Sequence, residues 1–328
     1  METRSCRLVL VVLLLITFLT VPLSGGIVLA AEKVKFGPSV KTNPSYNLPM
    51  FAAEEKGFWQ QQGLDLEWIG FQSGRSTYRA LTAGSLDMGL GGTLSTVRAA
   101  SRGVPAIIVA DMENPQEFAV FVRADSPIKR PQDLKGTKIG VARFGGLVHG
   151  YGVAIARSLG MEKEIKLVAA GGSAASLAAM MSGAIDGNVT SYNFMAQLFY
   201  QGKVRKIVSL PDYLPKPWAD VTVFAHKEFV KAKPKVLGKT LKALFQATDF
   251  IMKNQSWAVK TLKAKFGYSE GVAKQLHKLS LRYGKTGKID RKAMANIRGF
   301  LIEYDILPKE KALPVDQMFT SQFVPLGS

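Results

Sequence analysis

Four short stretches combine glycine with a hydroxyl or a guanidinium: Gln72-Ser73-Gly74-Arg75-Ser76, Gly91-Gly92-Thr93, Arg143-Phe144-Gly145-Gly146 and Gly171-Gly172-Ser173. Each lies where a strand-like apolar run gives way to a helix-like one. The first turn of a helix exposes unpaired N–H groups and partial positive charge. Glycine lets a ligand approach that backbone, and arginine grips a carboxylate, sulfonate or phosphate through two parallel hydrogen bonds. Any one such turn is also what a tight strand-to-helix connection requires. Their recurrence predicts one shared site at the carboxyl ends of the strands, where open α/β sheets bind ligands.

Other chemistry is poorly provided for. His149, His226 and His277 are far apart and have no cysteine or carboxylate at metal-ligand spacing. The chain has one cysteine, Cys6. There is no Walker-type loop, no G-x-G-x-x-G after a strand and no G-x-S-x-G elbow. Carboxylates are scattered, and no cofactor is expected.

The turns sit in a repeated frame. Ala80-Leu81-Thr82-Ala83-Gly84-Ser85-Leu86-Asp87 aligns without a gap with Ala179-Met180-Met181-Ser182-Gly183-Ala184-Ile185-Asp186. Upstream of each copy the same elements recur: a strand (residues 34–37, 138–141), a helix closed by glycine (49–62 with Gly63, 147–159 with Gly160) and a second strand (64–69, 165–169). Pro49 suits the first turn of its helix. Strands alternating with helices predict an α/β fold with parallel sheets. Two similar units predict two lobes with the site in the cleft between them. Strand-like residues 118–123 and 221–225 bracket the second copy and mark the crossovers. The expected division is 1–30 as a leader, 31–120 as the first segment of lobe 1, 121–220 as lobe 2, and 221–328 as the return strand of lobe 1 with C-terminal helices. Those helices are expected at 235–254, 256–266, 269–279 and 291–304, packed on the first lobe.

The leader carries Arg4 and Arg7, an apolar run at 8–21 broken only by Thr17 and Thr20, and Val28-Leu29-Ala30 with small residues at a peptidase site. A bilayer span takes about 20 apolar residues, so the pattern predicts a cleaved secretory signal that removes Cys6 with it. A mature chain without cysteine forms no disulfide and relies on its core.

Longer segments resemble a known family. Met50-Phe51-Ala52-Ala53-Glu54-Glu55-Lys56-Gly57-Phe58-Trp59, Asp133-Leu134-Lys135-Gly136-Thr137-Lys138-Ile139-Gly140-Val141 and Ser182-Gly183-Ala184-Ile185-Asp186 look like successive motifs of solute-binding proteins of nitrate/sulfonate/taurine-type ABC importers. That family also includes thiamine-precursor binders, and the likeness runs over residues 34–229. It implies a two-lobed type II periplasmic-binding fold that closes on its solute by hinge motion. A periplasmic monomer is then expected, delivering a small solute to an ABC permease and ATPase complex in the inner membrane. The expected ligand-binding residues are Ser39, Tyr46, Asn47, Gly74, Arg75, Ser76, Gly92, Thr93, Arg143, Phe144, Gly145, Gly146 and Asn193. Many relatives carry serines or threonines where Gly146-Leu147-Val148 stands here, and often proline where Ser191-Tyr192-Asn193 stands. With Arg75 and Arg143 near the cleft, an anionic solute is expected, a carboxylate at least as readily as a sulfonate. Tyr46 and Trp218 are open to either stacking on a ligand or core packing. Two alternatives stand beside transport: a pyrimidine-forming enzyme of thiamine synthesis on the same fold, which uses a cysteine-rich iron-binding segment, and a ligand sensor that docks a receptor.

The chain carries 43 Lys+Arg against 25 Asp+Glu, a formal net charge of +18. Most of that excess falls in residues 226–328, on the helical tail rather than at the cleft turns. It reads as a lysine-coated exterior, and no nucleic-acid partner is expected for an exported chain.

Overall fold

The computed structural model describes residues 30–39, 42–71, 73–114 and 118–324. The predicted leader thus lies, but for Ala30, outside the described residues. The elements below all belong to one unit, Glu32–Ser328.

Ten strands form two five-stranded sheets of the same design. The first holds β1 (Glu32–Pro38), β2 (Leu64–Trp68), β3 (Met88–Gly92), β4 (Ala106–Asp111) and β10 (Val221–His226), in the order β2-β1-β3-β10-β4. The second holds β5 (Phe118–Arg123), β6 (Lys138–Val141), β7 (Lys166–Ala169), β8 (Gly187–Ser191) and β9 (Val204–Ser209), in the order β7-β6-β8-β5-β9. In each sheet the first three strands of the repeat run parallel, and one strand from elsewhere in the chain is inserted antiparallel: β10 beside β3 and β4, β5 beside β8 and β9. Both inserted strands shift register at a Val-Phe step, Val223/Phe224 and Val120/Phe121. The chain therefore changes sheet twice, between β4 and β5 and between β9 and β10. Val34, Phe36, Met88, Leu90, Val120, Phe121, Val221 and Val223 are all buried, as strands covered by helices on both faces must be.

The repeated octapeptide has a structural purpose. Its glycine, Gly84 or Gly183, adopts a left-handed conformation (φ 69° and 80°). That ends α3 (Gly74–Thr82) in the first copy and α6 (Ser173–Met181) in the second. Its aspartate then turns back on the first strand of its sheet. Asp87 Oδ2 accepts from the Lys35 N–H at 2.8 Å, and Asp186 Oδ2 accepts from the Lys138 N–H at 2.7 Å. Replacing either aspartate by alanine leaves that N–H to solvent and should cost about 1 kcal/mol in each copy. Urea denaturation of the two variants is expected to show similar losses, and an unchanged midpoint in either would remove this role.

Helix α1 (Pro44–Glu55) begins before the position read from sequence. Asn43 caps it, its side chain accepting from the Ser45 N–H, and Pro44 rather than Pro49 occupies the first turn. Pro49 inside a helix cannot donate to the Ser45 carbonyl. The Tyr283 hydroxyl does so instead, at 3.0 Å. Gly57 in a left-handed conformation separates α1 from the short α2 (Phe58–Gln61). The remaining helices are α4 (Thr93–Ala100), α5 (Leu147–Ser158), α7 (Tyr192–Tyr200), α8 (Lys227–Ala232), α9 (Pro234–Lys253), α10 (Gln255–Phe266), α11 (Glu270–Leu279) and α12 (Arg291–Glu303). Of the C-terminal helices, α9 and α10 pack on α1, and α12 packs on α4. They also reach the second sheet's helices: α11 meets α7, and Phe300 of α12 packs against Tyr151 of α5 with ring centroids 5.8 Å apart. Among the described residues no helix is long and apolar enough to cross a membrane.

Candidate functional site

A cleft of about 640 Å³ opens between the halves built on the two sheets, a volume suited to a small organic ligand. Strand ends and helix starts from both halves line it. The first sheet's side supplies Ser39, Tyr46, Gly74, Gly92 and Thr93, and the second supplies Phe118, Tyr151, Ser173, Asn188, Thr190 and Asn193. The second crossover adds Trp218 and Asp220, and residues from the end of α10 add Phe266 and Tyr268.

Aromatic rings stand in both walls. Phe118 lies 4.8 Å from Tyr151 between centroids, and Phe266 stacks on Tyr268 at 6.3 Å. Trp218 is braced edge-on against Phe300 at 5.4 Å, and its Nε1–H donates to Asp220 Oδ1 at 3.1 Å. The Asp220 carbonyl accepts from the Thr93 N–H at 3.0 Å, which ties the crossover to the start of α4. Burial, together with the nearby Asp220 carboxylate and Tyr46 phenol, raises the Tyr151 pKa well above the phenolic range. Burial also pushes Tyr268 up to about 12. Both hydroxyls therefore act as neutral hydrogen-bonding groups.

Formal charge is sparse among the described lining residues. Asp220 is the one carboxylate among the described lining residues, and Lys265 the one cation. The ammonium of Lys265 sits over the Phe51 ring, 5.6 Å from its centroid, so it is already engaged. Asn188 is 1% exposed, and its Nδ2 has no acceptor among the described residues. A buried amide donor without an acceptor carries a desolvation cost that a ligand's acceptor would relieve. The halves also touch within the cleft: Asn193 Nδ2 donates to Ser45 Oγ at 3.1 Å, and the Tyr268 hydroxyl to the Asn193 carbonyl at 3.1 Å. No group of three or more His, Cys, Asp or Glu suited to a metal occurs among the described residues.

Of the residues predicted from sequence, Ser39, Tyr46, Gly74, Gly92, Thr93 and Asn193 line the cleft. Asn47 is fully buried in α1, its amide donating to the Asn43 carbonyl at 2.7 Å. Arg75 is exposed on α3, and the Ser76 hydroxyl donates back to the Ser73 carbonyl at 2.8 Å. Arg143, Phe144, Gly145 and Gly146 form the outer part of the β6–α5 turn and stand outside the lining, with Phe144 60% exposed. Asn188, Thr190, Tyr151, Phe118 and Asp220 escaped the sequence reading. Asn188 did leave a trace: it is a polar residue in a strand whose first four positions are buried.

Comparisons with known proteins agree with this geometry. Residues 44–258 match the family described as NMT1/THI5 like. A 4-amino-5-hydroxymethyl-2-methylpyrimidine phosphate synthase of Saccharomyces cerevisiae is 26% identical over 238 residues, 68% of each chain. Among solved structures, the periplasmic aliphatic sulphonate binding protein SsuA of Escherichia coli superposes with a TM-score of 0.76 at 18% identity. The match covers 88% of this chain and 92% of that one. The alkanesulfonate-binding protein SsuA of Xanthomonas axonopodis pv. citri, bound to MOPS, gives 0.75 at 18% identity, covering 89% and 100%. These likenesses establish the periplasmic-binding-protein fold.

Proposed function

Because the chain belongs to the NMT1/THI5-like family, we propose that it is the solute-binding component of an ABC importer whose cleft takes a planar, nitrogen-bearing aromatic solute. The observation that carries this reading is the cleft's make-up: aromatic walls, the Asp220 carboxylate, the unpaired Asn188 amide donor, and no arginine among the described lining residues. Rings stack on a flat solute. A carboxylate accepts from an amino or ring N–H group, and an amide donates to a ring nitrogen or carbonyl. A sulfonate or carboxylate placed beside Asp220 would meet a like charge, and Lys265 is the one cation among the described lining residues. This reading departs from the anionic solute expected from Arg75 and Arg143, a class that the names of the sulphonate-binding structural neighbours favour.

In this reading the lobes are 31–120 with 221–328, and 121–220, and they close about the two crossovers. The leader at 1–30 supports export, as does the periplasmic origin in the name of the SsuA of E. coli. An exported monomer of this kind would hand its solute to a permease and ATPase.

A thermal-shift screen of the mature chain tests the proposal, because a ligand that binds only the native state stabilises it by about 2.7 kcal/mol at a hundred times its Kd. Aminopyrimidines are expected to raise the melting temperature, and alkanesulfonates are not. Stabilisation by sulfonates alone would overturn the heterocycle assignment, and silence across both classes would overturn solute capture. The yeast relative's name favours a synthase as the second reading. Recovery of the heterocycle chemically unchanged after prolonged incubation supports a binder, and its conversion supports the enzyme.

A further inference from the structure

The arginine that the cleft does not use lies at its lip among other unpaired cations. Arg98, in the last turn of α4, is half-buried. It has no carboxylate partner among the described residues. Its Nη1–H reaches across to the second half and donates to the Gly145 carbonyl at 3.4 Å. Two residues before that carbonyl stands Arg143, exposed, its guanidinium making neither an ion pair nor a hydrogen bond among the described residues. Its stem lies over Gly146, where an added Cβ would come within 3.1 Å of Arg143 Cγ.

The loop that presents Arg143 is built rather than loose. Gly145 turns through a left-handed conformation (φ 64°) and donates its N–H to His149 Nδ1 at 3.4 Å. The Phe144 ring meets the imidazole edge-on at 5.3 Å. Burial lowers the His149 pKa, so the imidazole stays neutral and keeps its acceptor. Burial and the neighbouring charges of Arg102 and Arg143 disfavour the protonated form of Arg98. Like charges brought together across two halves, one of them half-desolvated and offered a single carbonyl at long range, gain most from an anion placed between them.

We propose that Arg98 and Arg143 form an oxyanion site at the lip of the cleft that bridges the two halves. The chemistry recognised is a sulfate-, phosphate- or carboxylate-type group, held by guanidiniums from both sides. A free inorganic oxyanion and an acidic substituent projecting from a cleft-bound solute both present it. Because the anion contacts α4 on one side and the β6–α5 turn on the other, its binding stabilises the arrangement in which the halves are together. The site is separate from the aromatic cleft, and only the substituent source depends on the heterocycle reading.

The test is calorimetric titration of the mature protein at constant ionic strength, with chloride as the balancing ion. Sodium sulfate is the first probe, and nicotinate with its neutral isostere nicotinamide is the second. A free-oxyanion site predicts saturable sulfate binding that weakens about tenfold or more in Arg98→Gln and in Arg143→Gln. It also predicts no change in Arg75→Gln, whose arginine is exposed on α3. A substituent site predicts no binding of sulfate alone, nicotinate preferred to nicotinamide about tenfold, and that preference lost in Arg98→Gln. Arg98→Lys, which keeps the charge, should retain part of the affinity in either case. Sulfate binding unaltered by both glutamine variants overturns the site, and so does the absence of both sulfate binding and a nicotinate preference. Failure of every heterocycle to bind while the sulfate result holds would count against the cleft reading alone.

Discussion

Asp220→Asn is expected to weaken capture of an amine-bearing heterocycle by about 10- to 100-fold while leaving the fold intact. A hydrogen bond to a charged group contributes about 1.5–3 kcal/mol, and no other carboxylate among the described lining residues can replace it. Asparagine keeps the Oδ1 that accepts from Trp218, and the backbone carbonyl that receives the Thr93 N–H is untouched. The Trp218 and Thr93 contacts should therefore stay in place. Calorimetric Kd values for wild type and variant, with matching melting temperatures in the absence of solute, make the comparison. An unchanged Kd would remove Asp220 from the site. A Kd improved for an anionic solute would return the cleft to the sulfonate or carboxylate class.

The second large effect concerns stability at the first crossover. Asp111 ends β4, is 6% exposed, and accepts from the Glu113 N–H through Oδ1 at 2.8 Å. Burial, reinforced by the Glu113 and Asp290 carboxylates, raises its pKa from 3.8 to about 7. The folded state thus holds a proton that the unfolded state has lost. Below pH about 4 both states are protonated and the group contributes nothing. As the pH rises through that window the unfolded chain binds fewer protons, stability falls, and the full penalty is present above about pH 7. At about 1.4 kcal/mol per pKa unit the penalty is on the order of 4 kcal/mol. Asp111→Asn keeps an acceptor for the Glu113 N–H and cannot ionise. Urea denaturation should show it more stable than wild type at pH 8, similar at pH 4, and without this part of the pH slope. An identical slope in the variant would show that Asp111 is charged in the native state.

Much of the frame was readable from sequence because it depends on neighbours in the chain. The strands of both copies and the helix read at 147–159 were predicted to within two residues, while the single helix read at 49–62 is two, α1 and α2, parted at Gly57. Apolar periodicity and terminal glycines are local signals. Helix α1 was placed too late for a reason outside that range. The Tyr283 hydroxyl, from beyond α11, supplies the Ser45 carbonyl with the donor that Pro49 lacks. The site was legible to the extent that it uses turns: Gly74, Gly92 and Thr93 lie where glycine and hydroxyl residues start helices, and all three line the cleft. Arg75 and Arg143 belong to the same kind of turn and stand outside the lining. A side chain one or two positions further along a helix or turn points elsewhere, and sequence does not settle the rotation.

Local sequence carried two copies of an α/β unit, an aspartate recurring at the end of each, and a basic helical tail. These follow from periodicity, composition and the conformational demands of glycine and proline. The tertiary structure alone decided what meets in the cleft: Asp220 from a crossover, Asn188 from a strand centre, Tyr151 from a helix face and Tyr268 from the tail. It also set Arg143 at the lip of the cleft, on the opposite side from Arg98. Such groups have no shared local pattern. They come together because β5 and β10 insert into sheets built from distant segments, and only that insertion sets which charges face a ligand and which face one another.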